Sequence, residues 1–197
     1  MKKNPLLYII VVFIFILFNS NCLVYGQMFK PDTTINKILV LQNVSSVSMF
    51  IQNTDTLPII YKNLDYFNYD SPFVLFLNKS KTRYLAAIIH EGTWKNCFSE
   101  FEIGIIYDSI LIKMDVPYII TNYEDFKTES NIYITMSKRK LKKIKGRNFS
   151  KFDNRIKYCY RYVDSEFINE LKFCDYYCEC YFKKRKVVKV RFGYTQL

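Results

Sequence analysis

The chain reads as an α+β protein, mostly antiparallel β-sheet with one short helix packed on the C-terminal sheet. Three observations lead there. Short runs of β-branched and aromatic residues recur from Thr34 onward, separated by Asn, Asp, Ser and Pro rather than by helical segments. Aromatic residues make up 18% of the chain while Gly and Pro number five each, a composition that builds a core rather than a disordered tail. A clear helical pattern occurs once, at residues 138–145, and the strand pattern resumes after it.

Residues 1–26 are set apart from that fold as an export leader. Lys2 and Lys3 precede an apolar run of 13 residues from Leu6 to Phe18, the polar break Asn19-Ser20-Asn21 follows, and Val24-Tyr25-Gly26 offers a cleavage site before Gln27. At 1.5 Å per residue the run reaches about 20 Å, short of the roughly 30 Å hydrocarbon core, so no transmembrane span is expected after cleavage. The reading places the protein outside the cytoplasm, periplasmic or secreted. Its competitor is a lipid anchor on Cys22, where Asn21 and Asn19 occupy positions that want a small and an aliphatic residue.

Cleavage after Gly26 leaves 171 residues, divided here into a β-rich half, 27–125, and a helix-plus-sheet half, 126–197. The leader holds two of the 29 basic residues and none of the 18 acids, so the remainder carries a formal charge of +9.

In the first half, strands are expected at 35–41, 47–52, 57–61, 73–77, 84–90, 98–107 and 109–113, parted by Asn53-Thr54-Asp55, Asn68-Tyr69-Asp70-Ser71-Pro72 and Asn78-Lys79-Ser80. Such spacing favours an antiparallel meander over alternating βα units. In the second half, Ser137 is a natural N-cap and Gly146 a C-cap for a helix over 138–145, with Leu141 and Ile144 on one face. Lys138, Arg139 and Lys140 stand at its positive end, so packing rather than the macrodipole must hold it. A strand over 156–163, a helical turn near 165–171 and a hairpin of 176–182 and 187–194 complete the pattern.

Residues 126–194 resemble a motif of uncharacterised secreted proteins of Gram-negative bacteria. The resemblance rests on Ile134-Thr135-Met136-Ser137, the short helix, Gly146, the Tyr-rich strand and Val190-Arg191-Phe192-Gly193-Tyr194, and Phe98-Ser99-Glu100-Phe101-Glu102-Ile103-Gly104 is similar to the same group's first half. More distantly, the second half resembles the fold of the small outer-membrane-assembly lipoprotein and the β-lactamase-inhibitor protein. Those open the helix with Gly-Met-Ser/Thr and acids, where this chain has Thr135 and Lys138-Arg139-Lys140. The resemblance implies a fold and lends no functional residue.

Five cysteines follow the leader: Cys97, Cys159, Cys174, Cys178 and Cys180. Even spacing puts Cys174, Cys178 and Cys180 on one strand face, with Cys159 on the neighbouring strand. A cross-strand disulfide from Cys159 to Cys178 or Cys180 and buried free thiols are both compatible with that pattern. Cys178-Glu179-Cys180 is too tight for a zinc knuckle, and no metal or other cofactor is expected. A single histidine excludes His-Glu-x-x-His sites, and no Gly-x-Ser-x-Gly occurs. One catalytic alternative remains, a thiol-dependent hydrolase using Cys97 and His90. Trp94 and the tyrosines 158, 160 and 162 read as sheet packing rather than a stacking surface.

Two basic runs stand out. Seven of the ten residues from Lys138 to Arg147 are basic, and Lys183-Lys184-Arg185-Lys186 with Lys189 and Arg191 adds six. The candidate binding residues are Lys138, Arg139, Lys142, Lys143, Lys145, Arg147, Lys183, Lys184, Arg185 and Lys186. They suit a polyanion, and export makes an anionic envelope component, or a protein partner, a better fit than nucleic acid. The sequence therefore predicts a non-catalytic exported binding protein, with its oligomeric state open.

Overall fold

A nine-stranded sheet organises the computed structural model, which describes residues 30–51, 56–61, 66–67, 69–91, 96–160 and 176–194. The strands in chain order are β1 (Thr34–Ile35), β2 (Leu39–Val40), β3 (Ile59–Ile60), β4 (Phe73–Leu77), β5 (Arg83–Ile89), β6 (Phe98–Ile105), β7 (Ile119–Ile120), β8 (Ser150–Phe152), β9 (Arg155–Tyr160), β10 (Tyr176–Lys183) and β11 (Lys186–Tyr194). The large sheet runs β3-β4-β5-β6-β11-β10-β9-β8, with β7 alongside β4, while β1 and β2 form a separate ribbon. Pairing is antiparallel except between β4 and β7. The junction β6–β11 joins residues from both halves of the chain into one sheet, Phe101 lying opposite Phe192 and Glu102 opposite Arg191.

Among the described residues the fold is thus mostly antiparallel sheet with few short helices, in line with the α+β reading. The helices are α1 (Val47–Phe50), entered through a 3-10 turn at Val44–Ser46, α2 (Asp108–Met114) and α3 (Lys138–Lys145). Two of them correct strand expectations. The 47–52 run becomes α1 because the Asn43 side chain accepts from Ser45 N–H (3.0 Å) and Ser46 Oγ donates back to Asn43 O (2.7 Å), which winds the chain before it. Val47 and Phe50, three apart, then reach the same core. The 109–113 run becomes α2: Asp108 suits its first turn, Lys113 its last, and Asp115 ends it in the left-handed region. Ile110 and Leu111 face the protein while Ile112 is exposed, a helical rather than an alternating pattern.

A third correction concerns 35–41. Asn36 and Lys37 are both left-handed (φ 50° and 62°), so the run folds back on itself as β1 and β2. Asn36 secures this reversal by accepting from Lys127 N–H at 2.9 Å. The 73–77 strand appears as expected and those at 84–90 and 98–107 appear within two residues. The expected helical turn near 165–171, like the leader, lies outside the described residues.

Side chains alternate across the sheet, and the two faces are covered differently. On the first face Val74, Phe76, Leu85, Phe101, Val190, Phe192 and Tyr158 are buried beneath Ile35, Leu39, Phe50, Phe126, Ile132 and Leu141. Burying each such side chain is worth about 1.5–3 kcal/mol, so this layer supplies most of the hydrophobic driving force. On the second face, among the described residues, a smaller cluster covers β4 and β5, where Phe73, Leu75, Tyr84 and Ala86 meet Ile60, Phe67, Tyr69 and Ile106. The rest of that face, on β6, β11, β10 and β9, carries charged side chains. Tyr84 borders the two: a Cβ at Gly104 would lie 2.5 Å from its ring, so glycine lets the ring cross to Glu102, where its hydroxyl donates at 2.6 Å.

Candidate anion-binding surface

The two basic runs meet. Ser137 Oγ accepts from Lys140 N–H (3.2 Å) and caps α3, and Leu141 is fully buried in the larger core. The β10–β11 hairpin turns at Lys184 and Arg185, both left-handed (φ 49° and 62°), with Lys183 opposite Lys186. Its tip is fastened to the helix start: Lys138 N–H donates to Arg185 O (3.0 Å), Thr135 N–H to Val187 O (2.7 Å) and Val187 N–H to Met136 O (2.9 Å). Residues far apart in sequence therefore present one basic surface.

The surface is not neutralised. Lys183, Lys184, Arg185, Lys186, Arg139, Lys143 and Arg147 are exposed, and among the described residues none of them is in an ion pair. Partial desolvation, then the nearby Lys142 and Lys151 charges, lowers the Lys138 ammonium below the ordinary lysine range. Aromatic rings support the cations from beneath. Lys138 stands 4.8 Å from the centre of Phe182 and Lys142 4.8 Å from Phe149. Lys151 escaped the sequence reading, because β8 is too short and too polar to announce a strand.

Lys145, grouped with the surface by sequence, belongs elsewhere. Its ammonium is buried against Asp32 Oδ2 (2.7 Å), Lys30 O (2.5 Å) and Ser130 Oγ (3.1 Å), with both ion-pair side chains 1% exposed. Ser130 N–H donates to Asp32 Oδ1 (2.7 Å) and the Tyr176 hydroxyl to Asp32 O, so the pair ties the start of the described chain to α3 and β10. It cannot serve a ligand. The reason is helical period: Leu141 and Lys145 are four apart and share the buried face.

Lys189 and Arg191 also leave the basic surface, for strand parity turns them onto the second face. There the register sets Glu102, Arg191, Glu179 and Lys157 side by side across β6, β11, β10 and β9, with alternating charge. Arg191 donates to Glu100 Oε2 through Nε (2.6 Å) and Nη2 (2.5 Å), and Lys189 pairs with Glu102 (3.3 Å). Arg155 (3.1 Å) and Lys157 (3.4 Å) share Glu179, which also accepts from the Tyr181 hydroxyl at 2.9 Å. Glu102 also accepts from Tyr69 at 2.8 Å, and burial together with that carboxylate pushes the Tyr69 and Tyr84 hydroxyls well up. The Glu-x-Glu, Lys-x-Arg and Arg-x-Lys spacings held the signal for this face; they become legible only once the strand order is known.

The cysteines correct another expectation. Cys178 and Cys180 are free and fully buried, with sulfurs 4.0 Å apart, and the Cys178 contact followed by burial raises the Cys180 thiol well above its usual range. Cys159 lies opposite Tyr177, on the other face, so no cross-strand bond from it to Cys178 or Cys180 forms. A one-residue difference in parity separates them. Cys159 is itself disulfide-bonded, and with Cys97 also free its partner lies outside the described residues, as do Cys174 and Trp94. His90 N–H donates to Cys97 O (2.9 Å), but Cys97 Sγ points to Gln42 O (3.2 Å), and among the described residues the imidazole makes no hydrogen bond to it. Among the described residues there is also no cluster of His, Cys, Asp and Glu fit to hold a metal ion, and no helix long and apolar enough to cross a membrane.

No family model, curated protein or solved structure matches the chain, so no relative assigns a role to any of these residues.

Proposed function

We propose that this is an exported, non-catalytic protein that binds a phosphate-bearing polyanion of the cell envelope through the surface formed by α3 and the β10–β11 tip, with α3 seated on the C-terminal strands. One observation carries the reading: the bond from Lys138 N–H to Arg185 O holds two unneutralised basic runs against each other. The turn adds support. Left-handed Lys184 and Arg185 each cost about 1–2 kcal/mol where Asn-Gly would sit at ease, so stability is given up to keep cations at the tip.

The test is co-sedimentation with vesicles containing phosphatidylglycerol, against phosphatidylcholine alone, together with retention on heparin. Binding is expected only to the anionic surfaces and falls steeply as salt shortens the screening length from about 10 Å at 0.1 M to about 3 Å at 1 M. The triple variant Lys142→Glu, Lys183→Glu, Lys184→Glu should lose it. Because the Lys138 ammonium is depressed, a bound anion draws a proton onto it, so affinity falls as pH rises toward the lysine range. Unchanged retention in the triple variant would defeat the proposal.

A further inference from the structure

The charged half of the second face holds a cleft of about 280 Å³ that the basic surface does not use. Its lining includes Asp70 and Ser71 from the segment before β4, Ile88, Glu100, Lys157 and Arg191, with Tyr69 and Tyr177 completing the walls. We propose that this cleft binds a neutral polyhydroxylated ligand, a saccharide of about one or two rings.

Charge decides the class of ligand. Two carboxylates, Asp70 and Glu100, face two cations, Lys157 and Arg191, so the lining is formally neutral. Arg191 is committed to Glu100 by two bonds and stacks over Tyr69 at 5.5 Å, while Lys157 is held by Glu179 and stands 5.0 Å from the centre of Tyr177. An anion would have to draw Arg191 from Glu100, and removing one partner of a largely buried pair leaves an uncompensated charge. A cation meets only Asp70, exposed at the mouth, where an ion pair in water is worth little. Hydroxyl groups need displace nothing. A carboxylate offers about four lone-pair directions and an ammonium three protons, so each paired group keeps capacity for a further neutral hydrogen bond.

Rigidity and size point the same way. Side chains that lock one another in place spend little entropy on binding, as recognition of a weakly held neutral ligand requires. Ile88, buried in the second cluster, forms part of the apolar floor. The volume lies just below the roughly 300–1,000 Å³ of drug-sized sites, which suits a ligand smaller than those. Asp70 is exposed and, among the described residues, in no ion pair, leaving its carboxylate for hydroxyls at the mouth. This inference is independent of the anion-binding proposal. Tyr177 and the hairpin tip are six residues apart on β10, roughly 20 Å, and the cleft opens on the other face from the α3 core.

The experiment is a two-dimensional amide NMR titration of the purified protein with methyl glycosides of glucose, galactose, mannose and N-acetylglucosamine. Glycine betaine and inorganic phosphate serve as charged controls. At least one glycoside is expected to give saturable shifts confined to the neighbourhood of residues 69–71, 88, 100, 157, 177 and 191, and betaine and phosphate none there. The double variant Asp70→Ala, Lys157→Ala should weaken that binding about tenfold or more, the loss expected of hydrogen bonds to charged groups. Ser71→Ala, which removes one hydroxyl, gives a smaller loss and serves if the double variant fails to fold. Absence of shifts with all four glycosides would overturn the proposal. So would shifts that survive unchanged in the variants, or shifts at these residues produced by betaine or phosphate instead.

Discussion

The hairpin of β10 and β11 carries cations at both its tip and its middle, yet the two sets live in opposite electrostatic worlds. At the tip, Lys183, Lys184, Arg185 and Lys186 are exposed and unpaired among the described residues. A few residues on, Lys189 and Arg191 are half-buried, each against a carboxylate of β6. The difference lies in what strand pairing puts opposite them. Inside the sheet, Glu100 and Glu102 are sequestered and must be matched, because a buried charge without a partner is expensive. At the tip Lys183 lies opposite Lys186 and the side chains stand in water, so nothing requires a match. One set of cations holds the sheet together and the other stands in water.

The buried pair of Lys145 and Asp32 takes pairing to its limit and should give the largest effect. Asp32→Ala leaves the Lys145 ammonium buried without its carboxylate and is expected to cost about 3–5 kcal/mol, read from urea unfolding. Replacing both, as Asp32→Leu with Lys145→Met, should recover most of that loss. A single-variant cost below about 1 kcal/mol would mean that water reaches the pair.

A smaller effect is expected on the paired-charge face. Glu102→Gln keeps the shape but removes the charge that Lys189, Tyr69 and Tyr84 share, for a loss of about 1.5–3 kcal/mol. Heparin retention should not change. A fall in retention would show that the two sets of cations are not functionally separate.

The smallest change in stability should carry the opposite sign. Lys184→Asn with Arg185→Gly relieves two left-handed residues, less the roughly 0.5–1 kcal/mol of backbone entropy that glycine gives up. The pair should stabilise the fold by about 1–3 kcal/mol while lowering the salt at which the protein leaves heparin. If stability and retention rose together, the strained turn would have no link to binding.

Much of the sheet was legible in the sequence, and the exceptions have physical causes. Residues 73–77, 84–90 and 98–107 combine β-branched or aromatic composition with turn residues at both ends, and local preference there agrees with the tertiary demand. The runs 47–52 and 109–113 have the same composition but lie at the margin of a core, where capping by Asn43 and burial of Ile110 and Leu111 outweigh β-propensity. Of the candidate binding residues, those at the hairpin tip were recognisable as exposed, because a charged turn between two strands faces water. Lys145 was not, since no local pattern reveals a carboxylate more than a hundred residues away.

The chain's own order of residues set the alternation of strands, the caps of α3 and the excess of cations, because each depends on neighbours within a few positions. Tertiary structure alone decided which of those cations stay free. The β6–β11 junction brings Glu100 and Glu102 to Lys189 and Arg191, and the same pairing opens the neutral cleft beside them. Charge is local in sequence, but its neutralisation depends on distance in space, and strand order fixes that distance.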